Sequence, residues 1–239
     1  MPRAPASWRR PLLLGALAAG LAWPVRAAPP SLQPELQPAP RPDWTRSEER
    51  EDCTSHSPLR QAFFGDTHVH TAYSFDASTQ DTRNTPRDAY RFARGEAMGI
   101  QPYDSENRPL RTLELARPLD FVAVTDHSEL LGEVSLCTTP GSAAYGSWLC
   151  WIHQNWPRLS FRLLSTRNLI LRGRWGLCGD GGERCLAEAG SVWQEIQAAA
   201  EGAYDRSSAC RFTSFVGYEW TGSVDTNNLH RNVLFRNER

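Results

Sequence analysis

The sequence predicts an α/β fold, and three features predict it. The run from Leu119 to Thr125 has the near-continuous hydrophobicity of a strand covered on both faces of a parallel sheet. A capped amphipathic segment over residues 86 to 98 precedes it, and a strand-like segment ending at His70 precedes that. Strand, helix, strand is the repeat of β/α architectures, which build their functional sites at the C-terminal ends of the strands.

Taken in order, residues 1 to 27 read as a secretory signal. Arg3, Arg9 and Arg10 stand ahead of an apolar stretch from Pro11 to Trp23 that is short for a bilayer span. Val25-Arg26-Ala27 has small residues where a signal peptidase favours them, so cleavage is expected after Ala27 and the mature protein is expected in the periplasm or outside the cell. Arg9-Arg10 raises twin-arginine export, but Trp8 and Pro11 around the pair fit that motif poorly. No cysteine follows the apolar stretch, which argues against a lipoprotein. Residues 28 to 56 form a leader with prolines at Pro29, Pro30, Pro34, Pro38, Pro40 and Pro42; proline favours extended, solvated chain. The folded domain is expected over residues 57 to 239. With a net charge of −1 over 239 residues there is no basic footprint for nucleic acid and no polybasic patch for a membrane. No nucleic-acid partner is expected, nor a membrane once the signal is removed, and nothing predicts an oligomer.

The first strand, through Phe63-Phe64-Gly65-Asp66-Thr67-His68-Val69-His70, turns into a polar loop holding Asp76. Residues i and i+2 of a strand share a face, so His68 and His70 aim together. Two imidazoles with a carboxylate close behind suit zinc, manganese or iron. Thr85-Pro86-Arg87-Asp88 then starts a helix: a capping hydroxyl, a proline at the first helical position and an acid three residues on. Ala89, Phe92, Ala93 and Met98 recur at helical spacing, which extends it to about residue 98. His127 lies just past the end of the next strand. A further apolar run, from Thr213, reaches Glu219, and His230 precedes a last one. The chain has six histidines, and four of them stand at predicted strand edges, where dispersed histidines would not gather. A shared metal site explains that placement. His56 and His153 are read as ordinary.

Residues 128 to 210 read as an insertion folding over the mouth of the site. The interval holds Cys137, Cys150, Cys178, Cys185 and Cys210, with Trp148, Trp151, Trp156, Trp175 and Trp193. Together with Cys53 they make six, an even number suited to disulfides in an exported chain rather than to zinc thiolates. Six cysteines allow fifteen pairings. Sequence proximity favours Cys137 with Cys150 and Cys178 with Cys185, leaving Cys53 with Cys210, and each closed loop contributes roughly 2–4 kcal/mol. The tryptophans are expected to pack a small core or, failing that, to shape a substrate cleft. Residues 186 to 203 return to helix, with Val192, Trp193, Ile196 and Ala200 on one face.

Four motifs in order resemble the polymerase and histidinol phosphatase (PHP) superfamily of metal-dependent phosphoesterases, over residues 61 to 239. They are His68-Val69-His70-Thr71 with Ser74 and Asp76, then Val124-Thr125-Asp126-His127, then Gly217-Tyr218-Glu219-Trp220, then Asn228-Leu229-His230. The wording is closest to a branch of secreted proteins described as a domain of unknown function. The resemblance implies the N-terminal portion of a distorted seven-stranded β/α barrel, with two or three divalent metal ions at the strands' C-terminal ends. It implies His68, His70, Asp76, His127, Glu219 and His230 as ligands, with Glu219 bridging. Glu219 and Asp126 are the candidates for catalysis. Asp66 and Asp126 stand where they orient ligands; for Asn228 and Arg231, contact with a substrate phosphate and an ordinary surface role are both open. Metals at strand ends lower the pKa of water toward neutrality and clamp phosphoryl oxygens, so no Ser or Cys nucleophile is required. The implied substrate is a small phosphoester.

This chain departs from that pattern by lacking a late Asp-x-His motif after Arg239, and so is expected to be C-terminally incomplete. Two other readings follow. One is an amidohydrolase-like metal hydrolase, disfavoured because that group often uses a carbamylated lysine and the sequence has no lysine. The other is a disulfide-stabilised fragment that binds metal without catalysis.

Overall fold

Parallel pairing of three strands far apart in sequence sets the frame of the molecule. The computed structural model describes residues 49–167, 173–224 and 227–235, so the expected signal and most of the leader lie outside the described residues. The chain runs through β1 (Gly65–Val69), α1 (Phe75–Ser78), α2 (Pro86–Ala93), β2 (Met98–Tyr103), β3 (Pro109–Leu113) and β4 (Phe121–Val124). It continues through α3 (Leu131–Thr138), α4 (Trp148–Asn155), α5 (Pro157–Ser165), α6 (Glu183–Ala203), β5 (Thr213–Phe215), β6 (Gly217–Val224) and β7 (Asn227–Leu234). Strands β1, β4 and β5 form a parallel sheet in the order β1-β4-β5, while β2 with β3 and β6 with β7 are antiparallel pairs. The architecture is mixed α/β, and the described residues form no closed barrel.

Strand β4 is central because both its faces are apolar. Val122, Ala123 and Val124 are all buried. The two valines pack under Tyr90 and Ala93 of α2 and under Ala199, Ala200 and Ala203 of α6, with Phe212 and Val216 closing the cluster. Burying a valine side chain contributes about 1.5–3 kcal/mol, and the small alanines let α6 approach closely. The Tyr90 hydroxyl donates to the Phe215 carbonyl at 3.0 Å and accepts from the Val124 amide at 3.2 Å, which ties β4 to β5.

The capping box expected at Thr85 and Asp88 is present, with Pro86 at the helix start. The helix itself is shorter than expected. Gly95 adopts φ +94°, a conformation that favours glycine, and closes α2 at Ala93. Met98 instead begins β2, whose pairing with β3 leaves no helix there.

All three expected disulfides are formed: Cys53–Cys210, the pair left by elimination, and the two favoured by proximity, Cys137–Cys150 and Cys178–Cys185. The last two are clustered with Leu136 and Ala144 in a small core of their own. The tryptophans depart from their expected core role. Trp148 and Trp151, one helical turn apart, lie on the outer face of α4, while Leu149, Cys150 and His153 take its inner face. Trp156 is exposed too, and Leu130, Leu149 and Leu164 supply the core there. Two tryptophans keep a core role: Trp175 packs against that leucine set, and Trp193 on α6 packs on Tyr218 and Phe235.

Helix α3 crosses α6 at Gly132, where a Cβ would run into the Cys185 carbonyl. By contrast, a Cβ on Gly190 within α6 meets open space. Urea denaturation of Gly132→Ala should therefore show a loss of at least about 1–3 kcal/mol from overpacking, whereas Gly190→Ala should gain about 0.5–1 kcal/mol of helix stability. Equal effects at the two sites would contradict this packing.

His153 supplies a second prediction. It is buried between the hydroxyls of Ser78 at 3.1 Å and Ser160 at 3.0 Å, and burial lowers its pKa to about 4. Its neutral form is favoured in the folded state, so its contribution is intact above pH 6.5 and is lost as pH falls from there toward 4. Stability should drop by on the order of 2–3 kcal/mol across that window, and His153→Gln should remove the slope. The same slope in both proteins would assign it elsewhere.

Candidate metal centre

Each strand end delivers one part of a converging cluster. Between Asp66 and Val69 three steps along β1 match two along β4, a bulge that re-aims the side chains at the strand's exit. His68 and His70 emerge there with ring centres 5.0 Å apart. The carboxylate of Asp66 accepts from the His68 amide at 2.9 Å, holding that backbone. Past β4, His127 bridges in parallel to Glu219, with Glu219 N donating to the Asp126 carbonyl and Ser128 N to the Glu219 carbonyl, both at 3.0 Å. The β6–β7 register then sets His230 across from Thr221.

Glu219 is the hub, with its side chain only 1% exposed. Its Oε2 lies 2.9 Å from His68 Nε2, 2.7 Å from His70 Nε2 and 3.8 Å from His127 Nε2, while Oε1 contacts His230 Nδ1. His70 is held from its other side by Asp76, whose Oδ2 lies 2.9 Å from Nδ1. Three overlapping groups result: His68, His70 and Glu219; His70, Asp76 and His127; and His127, Glu219 and His230. Any of these groups can hold a metal ion.

The electrostatics favour a cation here. Burial alone would depress the His70 pKa, but Asp76 and then Glu219 more than offset it and raise it to about 9. Burial pushes Asp76 and Glu219 up, yet His70 and Ser74 draw Asp76 far below the usual carboxylate range, and His127 with the other imidazoles lowers Glu219. Each ring nitrogen facing a carboxylate must carry a proton or share a positive ion with it. The histidine and carboxylate donors suit zinc, manganese or iron. Two of the three groups share Glu219, so an ion there would be held by His68, His70 and Glu219 or by His127, Glu219 and His230.

Asp126 stands apart from the six ligand candidates. It is fully buried, and both its oxygens are engaged by Thr71, from the amide at 2.5 Å and the hydroxyl at 2.7 Å. Burial, partly countered by Thr71, raises its pKa to about 6. The geometry is that of a clamp between the ends of β1 and β4, not of a group facing the cluster. Asn228 lies exposed at the rim. Two residues to which the sequence assigned no role support the ligands: Ser74, present in the first motif, and Glu129. Ser74 Oγ donates to Asp76 at 2.5 Å and accepts from the His127 amide at 3.1 Å. Glu129 Oε1 accepts from the Thr221 amide at 2.5 Å, and its Oε2 lies 3.4 Å from His127 Nδ1, itself 3.0 Å from the Thr221 hydroxyl. Each lies two residues from a ligand candidate, which was the available signal. The remaining acidic group, Glu133 beside Cys178 and Cys185, offers no thiolates, since those cysteines form a disulfide, and Glu133 pairs with Arg174 at 2.7 Å.

The family described as "Protein of unknown function (DUF3604)" matches residues 57–239. No curated protein and no solved structure matches the chain.

Thr71→Val should deprive buried Asp126 of a hydroxyl partner and cost about 1–3 kcal/mol in chemical denaturation. Thr71→Ser, which keeps the hydroxyl, should recover most of that loss. If both substitutions prove neutral, the Asp126 clamp does not hold the strand ends together.

Proposed function

The chain belongs to the DUF3604 family, and we propose that it is a metal-dependent hydrolase of small phosphate esters that works outside the cytoplasm. One observation carries this reading. Four imidazoles and two carboxylates from separate strand ends converge, with Glu219 buried among them and turned to both sides. The order of the motifs that supply these residues, and their likeness to the PHP phosphoesterases, supports phosphate esters as the substrate class. Zinc, manganese or iron bound there would supply Lewis-acid activation of water and neutralise phosphoryl oxygens.

The chain's own residues do the rest. Glu219 orients the ligand set from within the fold and brings negative charge that draws cations in. Thr221 and Glu129 face His127 Nδ1, leaving Nε2 turned to Asp76 and Glu219. Ser74 holds Asp76 against His70, and Asp126 holds the chain that carries His70. Export is supported by the three disulfides, which persist in oxidising compartments. No helix among the described residues is long and apolar enough to cross a membrane.

The test is phosphate release from a panel of phosphomonoesters and phosphodiesters, with and without added Mn²⁺ or Zn²⁺. Metal-dependent turnover is expected, falling by roughly 100-fold in His70→Ala and reduced in Thr221→Val through the orientation of His127. A metal-loaded protein that hydrolyses none of the esters would refute the reading.

A further inference from the structure

A cleft of about 260 Å³ opens directly beside the ligand cluster, and its walls differ in kind. One wall is His127, His230 and Asp76. The other is apolar. Phe75 and Phe161 stack with ring centres 5.4 Å apart and planes 14° apart, and Phe75 also leans on His127 at 5.0 Å. Phe161 comes from α5 of the cysteine-bridged segment, so that segment shapes the cleft. Phe161 is 39% exposed, so its ring is open to a ligand entering from solvent.

Charge narrows the choice further. No arginine lines the cleft among the described residues, although every fixed cation of this chain is arginine. Its fixed charges are the carboxylates of Asp76 and Glu129, and Glu129 Oε2 is buried 3.4 Å from His127 Nδ1. A ligand with a second anionic group would meet like charge there. An apolar cavity of about 150 Å³ is sufficient for benzene, so this volume accommodates one flat ring plus an attached phosphoryl group.

We propose that the cleft binds the flat, uncharged organic group of the ester, an aryl or arylmethyl group, against Phe75 and Phe161 while its single oxyanion faces the metal ligands. This rests on the metal-hydrolase reading above and specifies its substrate class. A compact polar alcohol leaves the aromatic wall wet, and a second anionic group is repelled by Asp76 and Glu129.

Non-hydrolysable phosphonates separate this from intrinsic reactivity. Calorimetric titration of the Zn²⁺-loaded protein should show benzylphosphonate binding about tenfold tighter than ethylphosphonate, and 4-carboxybenzylphosphonate losing that advantage. Phe161→Ala should bring the benzyl-to-ethyl ratio close to one with metal content unchanged, and Phe161→Leu should fall between. Equal affinities for all three ligands, or a ratio that survives Phe161→Ala, would overturn the assignment. Benzyl preference in a protein that hydrolyses no ester would keep the cleft assignment and remove the phosphoesterase reading. Turnover without benzyl preference would do the reverse.

Discussion

A carboxylate that is 1% exposed is tolerated inside a protein only with positive charge or donors beside it, and Glu219 is the point on which this structure turns. Four imidazoles from two strand ends and a hairpin surround it, so the chain segments that carry them must meet. The parallel order β1-β4-β5 puts those exits on one edge of the sheet. The His127–Glu219 bridge extends that order past the ends of the strands, and the Asp126–Thr71 clamp fixes the spacing on the other side. Removing the positive partners would leave a buried charge uncompensated, which is why the site and the local fold are one problem.

Much of this was legible in the sequence because it follows short-range rules. His68 and His70 share a strand face by the period of two, His127 follows an apolar run, and Thr85 with Asp88 announces a helix start. What was not legible lies in tertiary context. The bulge in β1 alters how its histidines aim, and nothing in the local sequence marks it. Gly95 stops α2 early, and the β2–β3 hairpin that follows lacks alternation clear enough to oppose the helical reading. Ser74 and Glu129 are ordinary polar residues until the fold brings them to Asp76 and His127. The outer tryptophans of α4 show that an aromatic-rich segment is no guide to burial when a leucine set and disulfides already fill the interior.

The cysteine-bridged segment links stability to selectivity. Cys137–Cys150 joins α3 to α4, Cys178–Cys185 ties the start of α6 to the turn before it, and Leu149 with Leu164 packs α4 on α5. That rigidity places Phe161 over Phe75 and makes one wall of a cleft whose other wall is the ligand cluster. Chemistry and selectivity thus come from different parts of the chain: strand ends for the charged side, a helical segment for the apolar side.

The central claim is that Glu219 joins two ligand groups, so the most direct measurement is the number of ions per chain by elemental analysis after equilibration with Zn²⁺ or Mn²⁺. The protein should hold two ions, with His68→Ala and His230→Ala each losing one and Glu219→Gln losing both. A protein that takes up no ion, or a Glu219→Gln variant that keeps its full complement, would contradict the account.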